Sequence, residues 1–169
     1  MALIKDGQLT NDPFVFTRDD DTTLPDGRAI IVSLAHWQAD RSNLIAHNGM
    51  VGIRLSSDQS ADMIANDLKY LAVVAIEFPA FSDGRGFSTA RTLCERYRYA
   101  GEIRAVGHLI RDQYLFLQRC GFNAIEVSDS DGLQEWDKAM SEISLFYQTA
   151  LDGRQPVMSL RRRLVAAAE

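Results

Sequence analysis

Cysteine is scarce in this chain, since only Cys94 and Cys120 occur among its 169 residues. They stand too far apart for a CxxC redox motif, and two cysteines do not make a zinc or iron–sulfur framework within one chain. Long apolar runs are missing too, because no stretch reaches the roughly 18 residues that a membrane-spanning helix needs. The N-terminus, MALIKDGQLTNDP, lacks the apolar core of a signal peptide. These absences predict a protein of the reduced bacterial cytoplasm, with no metal site and no membrane contact.

Basic charge is also limited. The formal net charge is -5, and the one tight basic cluster is Arg161–Arg163. A nucleic-acid-binding protein usually carries a broad basic surface, so nucleic acid is not an expected partner. The sequence has no Walker A motif, no GxGxxG after its first parallel strand and no GxSxG nucleophile elbow. It therefore contains no nucleotide, flavin or metal fingerprint, and any cofactor is unknown.

Regular structure begins at Ala29. Apolar runs typical of buried strands then alternate with segments whose apolar residues recur at helical spacing. This alternation predicts a single α/β domain with a mainly parallel sheet of about five strands, built from right-handed βα repeats. An open, doubly wound sheet is favoured, and a partial barrel is the alternative. The predicted strands are 29–34, 50–55, 71–78, 103–106 and 123–127, with helical segments that include 60–70 and a long last helix over 131–151.

Two segments flank this core domain, which spans residues 29–152. Within residues 1–28, Asp6-Gly7 predicts a short β-hairpin, and 14–16 could supply another strand. The stretches 19–21 and 25–27 are expected to form an exposed loop. Residues 153–169 are a tail of apolar side chains and three arginines, which could lie across the body or extend to a partner.

The loop after the third predicted strand is the first candidate site. It reads Asp83-Gly84-Arg85-Gly86-Phe87-Ser88, and Ser88 is the predicted N-cap of the next helix. Its glycines allow the backbone to approach a ligand closely. The helix start offers free N–H groups, and Arg85 offers a forked donor for a carboxylate, a phosphate or a sulfur oxyanion. The alternative is a loop in which Asp83 and Arg85 pair with neighbouring residues and the glycines only turn the chain.

The fourth predicted strand carries two charges, Glu102 and Arg104, on one face. A parallel strand buried on both faces should be apolar throughout. The two charges therefore either lie solvated and paired at the amino end of the strand, which is favoured, or reach into a site. His108 follows at the carboxyl end as a candidate general acid or base. In the next helical turn, Arg111 and Asp112 are further candidates, and for Asp112 a capping role competes with catalysis.

These residues resemble a bacterial family known as domain of unknown function 934, over about residues 30–150. Its members are described as oxidoreductases connected with sulfite reduction, because they are encoded beside sulfite reductase and other cysteine-biosynthesis genes. The family has no established catalytic residues to carry over. It usually has an acidic or amide residue in place of His108, which favours the other candidates. The similarity is densest in Asp67-Leu68, Glu77-Phe78-Pro79, Phe81, Asp83–Gly86, Ser88, Ala90-Arg91, Gly101-Glu102, Arg104–Gly107, Arg111–Gln113, Arg119–Phe122 and Tyr147-Gln148.

The resemblance leaves two functions open. The first is an accessory or partner protein of assimilatory sulfite reduction that docks on sulfite reductase or another sulfur-assimilation protein. The second is a small enzyme or carrier, an oxidoreductase by the family description, that binds a small anion. Sulfite reduction needs electrons from a cofactor, so the accessory function is favoured for a chain without a cofactor fingerprint. The residues that would bind the anion are Asp83, Arg85, Gly86, Ser88, Arg104, His108, Arg111 and Asp112.

Overall fold

The computed structural model describes residues 2–17, 25–127 and 132–166. In this part of the chain, eight strands form one mixed sheet in the order β2-β1-β8-β7-β6-β5-β4-β3. The strands are β1 (Ala2–Lys5), β2 (Gln8–Thr10), β3 (Phe14–Phe16), β4 (Ala29–Ser33), β5 (Val51–Leu55), β6 (Val73–Phe78), β7 (Glu102–Gly107) and β8 (Ala124–Val127). The helices are α1 (Leu34–Ile45), α2 (Arg85–Glu95), α3 (Tyr114–Arg119), α4 (Gly132–Glu142) and α5 (Val157–Ala166). None of them is long and apolar enough to span a membrane.

The N-terminal segment contributes to both edges of this sheet. The predicted hairpin is confirmed, since β1 and β2 are antiparallel and turn at Asp6 and Gly7, both with positive φ. Strand β3 pairs in parallel with β4, and β1 pairs antiparallel with β8. The sheet thus has six parallel strands, β3 to β8, rather than about five. The predicted loop at 19–21 lies outside the described residues.

The parallel strands are arranged in chain order, without the reversal that marks a doubly wound sheet. Right-handed crossovers then place the connecting helices on one face of the sheet. The packing agrees, because Ile76 and Phe78 of β6 join the main core with Leu93 of α2, whereas Val73 and Ala75 form a small cluster on the other face. The favoured doubly wound sheet is therefore wrong, and the winding is that of the partial-barrel alternative.

A short link forces the sheet to curl. Strands β2 and β3 are its opposite edges, and only Asn11, Asp12 and Pro13 join them. The four Cα steps from Thr10 to Phe14 span at most about 15 Å, whereas eight flat strands would hold the edges about 34 Å apart. The edges must therefore approach each other around an enclosed space, which we call the lumen. The helices lie outside it, and alternate residues of each strand point inward.

Two local helix predictions are wrong. Residues 60–70 form two short 3-10 turns, 61–64 and 68–70, instead of one helix. Between these turns, Asp67 accepts a hydrogen bond from Trp37 Nε1 at 2.8 Å and binds Arg41, and such side-chain contacts compete with helix formation. Helix α2 begins at Arg85, directly after Gly84, so Ser88 lies inside the helix and is not its N-cap.

The long helix predicted over 131–151 is also wrong in its second half. Its first residue lies outside the described residues, and α4 ends at Glu142. Beyond this point Arg119 of α3 binds Asp152 at 3.0 Å, and its guanidinium lies 4.1 Å from the centre of the Phe146 ring. These contacts hold the segment after α4 across the end of α3 as irregular chain. A helix that continued to residue 151 could not make them. Two apolar residues of the second half of this predicted helix are consequently exposed, Ile143 and Tyr147.

Candidate functional site

The Asp83–Ser88 loop lies at the carboxyl end of β6, and its charges are already paired. Arg85 donates from Nε and Nη2 to the Asp83 carboxylate at 3.0 and 2.7 Å, and from Nη2 to Ser57 Oγ at 2.8 Å. The hydrogen bonds from Arg85 hold the pKa of Asp83 below its usual range. This is the alternative arrangement considered from the sequence. An anion would have to compete with Asp83 for the Arg85 guanidinium.

Gly86 and Ser88 of this loop both make contacts within the fold. A Cβ on Gly86 would lie 2.7 Å from Cζ of Phe78, so the absence of a side chain allows α2 to pack closely on β6. Ser88 is exposed, and its carbonyl accepts a hydrogen bond from Thr92 Oγ1 at 2.8 Å. Gly86 is therefore explained by packing alone.

The turn after β7 lies beside the same loop. His108 is exposed, its ring centre is 6.3 Å from that of Phe81, and its backbone N–H donates to the Phe78 carbonyl at 2.7 Å. Gly107 has a φ of 100°, and a Cβ there would lie 2.5 Å from the same carbonyl oxygen. Only glycine fits this position. The fold thus brings His108 close to the loop after β6, with its imidazole at the surface.

Arg111 and Asp112 lie in a 3-10 turn that precedes α3 rather than in the helix itself. Arg111 Nη2 donates to Glu142 Oε2 of α4 at 2.8 Å. Asp112 is exposed, and no side chain caps the start of α3. Asp112 lies in the first turn of the 3-10 segment, so its choice between capping and catalysis stays a prediction, and Arg111 joins two elements of the outer layer.

Arg104 lies inside the lumen, away from the other predicted site residues. Its side chain is 0% exposed, and it binds Glu102 at 2.7 Å, Asp12 at 2.7 Å and Glu126 at 3.3 Å. Burial lowers the pKa of the guanidinium, but hydrogen bonds to Asp12 and Glu102 outweigh this effect, so the pKa is raised. Lys5 binds the second oxygen of Glu102 at 2.9 Å. The pairing expected for Glu102 and Arg104 is confirmed, but their expected solvation is wrong, because both side chains are buried.

A cavity of about 270 Å³ occupies the lumen beside Arg104. Three charged residues stand one position before the end of their strands, namely Arg54 on β5, Glu77 on β6 and Glu126 on β8. Arg54 binds Glu77 at 2.9 Å. Ligand sites of parallel barrels lie at the carboxyl ends of the strands. The cavity, which we call the lumen cavity, is lined by Ala2, Leu3, Asp12, Phe14, Phe16, Ile31, Arg54, Ala75, Arg104, Val106 and Glu126.

Sequence reasoning missed all of these charges except Arg104. The signal was present, because Arg54, Glu77 and Glu126 each interrupt an otherwise apolar strand, in VGIRL, VVAIEF and AIEV. The strand register, which the sequence does not show, places all three on the same face of the sheet as Arg104. Asp12 gave no signal of this kind, since it belongs to the link between the two edge strands.

The sequence matches the model of one protein family. A model of a bacterial protein family of unknown function, DUF934, matches residues 52–158. The match covers more than half of the chain. The chain belongs to the DUF934 family. No curated protein matches the sequence significantly.

The residues matched by the DUF934 model include some of the candidate site residues and leave out others. It includes the Asp83–Ser88 loop and the strand residues Arg54, Glu77, Arg104 and Glu126. It leaves out the N-terminal part of the lumen, including Asp12, and most of α5. The charged lumen residues on β5 to β8 therefore lie within the family's matched range.

The two cysteines show no sign of activation. Burial raises the pKa of both thiols, which disfavours the reactive thiolate. Cys120 is buried, and Cys94 lies against the backbone of Gly121. Across the described residues, no group of three or more His, Cys, Asp and Glu side chains could hold a metal ion.

Proposed function

We propose that this DUF934 protein is an accessory protein of assimilatory sulfite reduction that docks on sulfite reductase. The connection with sulfite reduction comes from the gene-neighbourhood description of the family. The observation that carries the docking role is an exposed apolar surface, which we call the C-terminal patch. Its five residues and their exposed fractions are Ile143 (49%), Leu145 (63%), Tyr147 (82%), Met158 (47%) and Leu160 (37%).

The two parts of the C-terminal patch are held together by the chain between them. Phe146 is buried against Arg119, so the residues on either side of it face outward. The carbonyl of Phe146 accepts a hydrogen bond from the N–H of Val157 at 2.7 Å. This bond places the first turn of α5 next to Leu145 and Tyr147. Exposed apolar residues concentrated in one part of the chain, as here, are typical of a protein interaction site.

Charge suggests what the partner surface is like. The chain has a net charge of -5, yet α5 presents Arg161 and Arg162, both exposed, beside Met158 and Leu160. A basic rim around apolar residues fits a partner surface with acidic residues around an apolar centre. The alternative function, anion binding at the Asp83–Ser88 loop, has less support because Asp83 already binds both Nε and Nη2 of Arg85 and Ser57 binds Nη2 as well.

Binding to purified sulfite reductase from the same bacterium tests this proposal, with biolayer interferometry as the readout. Leu145→Asp combined with Tyr147→Asp places two charges in the apolar centre, and we expect at least about tenfold weaker binding. Met63→Asp is the matched control, because Met63 is similarly exposed (52%) but lies in the 3-10 turn at 61–64. It should bind like wild type.

A second pair of variants tests the basic rim. Arg161→Glu with Arg162→Glu should weaken binding and make it less sensitive to salt, since attraction between exposed charges is screened by ions. Arg28→Glu with Arg98→Glu, two exposed arginines outside the patch, is the control. If the wild-type protein does not bind the reductase at about 100 μM, a concentration well above the Kd values of specific complexes, the proposal is wrong. Equal binding by the patch and control variants would remove the C-terminal patch from it.

A further inference from the structure

The lumen cavity plays no part in docking at the C-terminal patch, so it needs its own explanation. Its charged lining consists of two cations, Arg54 and Arg104, and two anions, Asp12 and Glu126. These four lining charges balance, and Glu77 and Glu102, which also pair with the two arginines, lie outside the lining. A ligand with one charge of each sign can pair with both kinds of lining group, whereas a singly charged ligand can pair with one kind only.

The four charged groups differ in how far they are open to a ligand. Arg104 is fully buried, and its bonds to carboxylates already use both terminal nitrogens. Arg54 has a single carboxylate partner, Glu77, and its side chain is 30% exposed. The side chains of Asp12 and Glu126 are 30% and 23% exposed. An incoming molecule can therefore reach one guanidinium and two carboxylates.

The walls of the cavity are apolar and aromatic. Arg54 lies over the ring of Phe16 at 5.0 Å, and Arg104 lies over the ring of Phe14 at 5.5 Å. Phe16 remains 47% exposed although it is on the inner face. Ala75 of β6 lies in register between Arg54 of β5 and Arg104 of β7. Its small side chain leaves room where barrels of this size usually carry a branched residue.

We propose that the lumen cavity binds a small zwitterion, a free amino acid, with its carboxylate on Arg54 and its ammonium group between Asp12 and Glu126. The carbon skeleton lies against the Phe14 and Phe16 rings. A guanidinium is suited to hold a carboxylate by two hydrogen bonds. Carboxylates are the natural acceptors for a primary ammonium group. This site is independent of the docking proposed above, and neither result depends on the other.

Isothermal titration calorimetry with the standard amino acids, one at a time, tests the site on the intact protein. At least one of them should bind, while the two analogues of that amino acid that lack its amine or its carboxylate should bind at least about tenfold more weakly, as expected for the loss of one charge-assisted contact. If no amino acid binds at about 10 mM, a concentration that reveals even weak complexes, the proposal is wrong. It is equally wrong if the singly charged analogues bind as well as the parent.

Two variants place the binding in the lumen. Arg54→Met removes the carboxylate partner, and Ala75→Leu fills the cavity without touching any charge. Both should lose at least about tenfold in affinity, after circular dichroism has shown that each is folded. Arg91→Met is the control, since Arg91 is exposed on α2 and pairs with Glu95. Unchanged affinity in Ala75→Leu would exclude the lumen cavity as the site, even if Arg54→Met fails to fold.

Discussion

Replacing Arg104 by methionine removes the charge at the centre of the lumen while keeping a side chain of similar length. In the wild type this guanidinium forms ion pairs with Glu102, Asp12 and Glu126 at 2.7–3.3 Å. Its loss leaves three carboxylates facing one another in a confined space. The only other cation that binds this group of carboxylates among the described residues is Lys5, on Glu102.

The size of the effect depends on how much water reaches the abandoned carboxylates. Removing one partner of a buried ion pair typically costs about 3–5 kcal/mol. Glu102 is only 5% exposed but keeps Lys5, while Asp12 and Glu126 are 30% and 23% exposed and can be partly hydrated. We therefore expect the lower end, about 3 kcal/mol of unfolding free energy. For a chain of this length that corresponds to a fall in Tm of about 6–12 °C.

Urea unfolding followed by circular dichroism measures this difference. Arg91→Met, which breaks an exposed pair with Glu95 on α2, should change stability little. A loss below about 1 kcal/mol, the scale of a surface pair, would refute the role assigned to Arg104.

Three further changes test other parts of the structure. Asp83→Asn should free Arg85, so that sulfate raises the Tm of the variant more than that of wild type. The pKa of Asp83 is lower in the folded state than in the unfolded state. Its contribution to stability is therefore present above the unfolded-state pKa and is lost as the pH falls through the folded-state pKa. The variant should lose this dependence on acid pH. Gly86→Ala should cost about 1–3 kcal/mol in urea unfolding through overpacking against Phe78, whereas Gly84→Ala, whose Cβ would make an ordinary contact with Phe87 Cδ2 at 3.7 Å, should be nearly neutral. Both cysteine thiols should react slowly with iodoacetamide at pH 7.5 until the protein is unfolded, because burial raises their pKa values.

Local patterns predicted most strands of this fold. The apolar runs at 71–78 and 123–127 are strands within a few residues, and the Asp6-Gly7 turn is a hairpin. The direction of winding could not be predicted in this way. It depends on the order of strands in space, and here β3 to β8 follow the order of the chain while a three-residue link joins two strands at opposite edges. Nothing in the composition of Asn11–Pro13 distinguishes such a link from an ordinary loop.

The candidate site was harder to predict for a related reason. Turn signals drew attention to Asp83–Ser88, where glycines and charges are adjacent in sequence, and there the charges satisfy each other. The lining of the lumen cavity instead combines single charges from four separate segments, and they meet only when the sheet curls. Arg104 stood out as a charge within a strand, but its partner Asp12 is 92 positions away in the chain. Pairing over such a distance leaves no local pattern.

The contact between Asp12 and Arg104 also explains how charge is tolerated inside a parallel sheet. Strands covered on both faces must be apolar, but this sheet is covered by helices on one face only and closes on itself with the other. The link that brings the edges together also delivers Asp12 to the Arg104 guanidinium at 2.7 Å. Curling and charge neutralisation therefore depend on the same three residues. A lumen closed in this way can hold a fully buried arginine, while the partly exposed carboxylates of Asp12 and Glu126 still face the cavity.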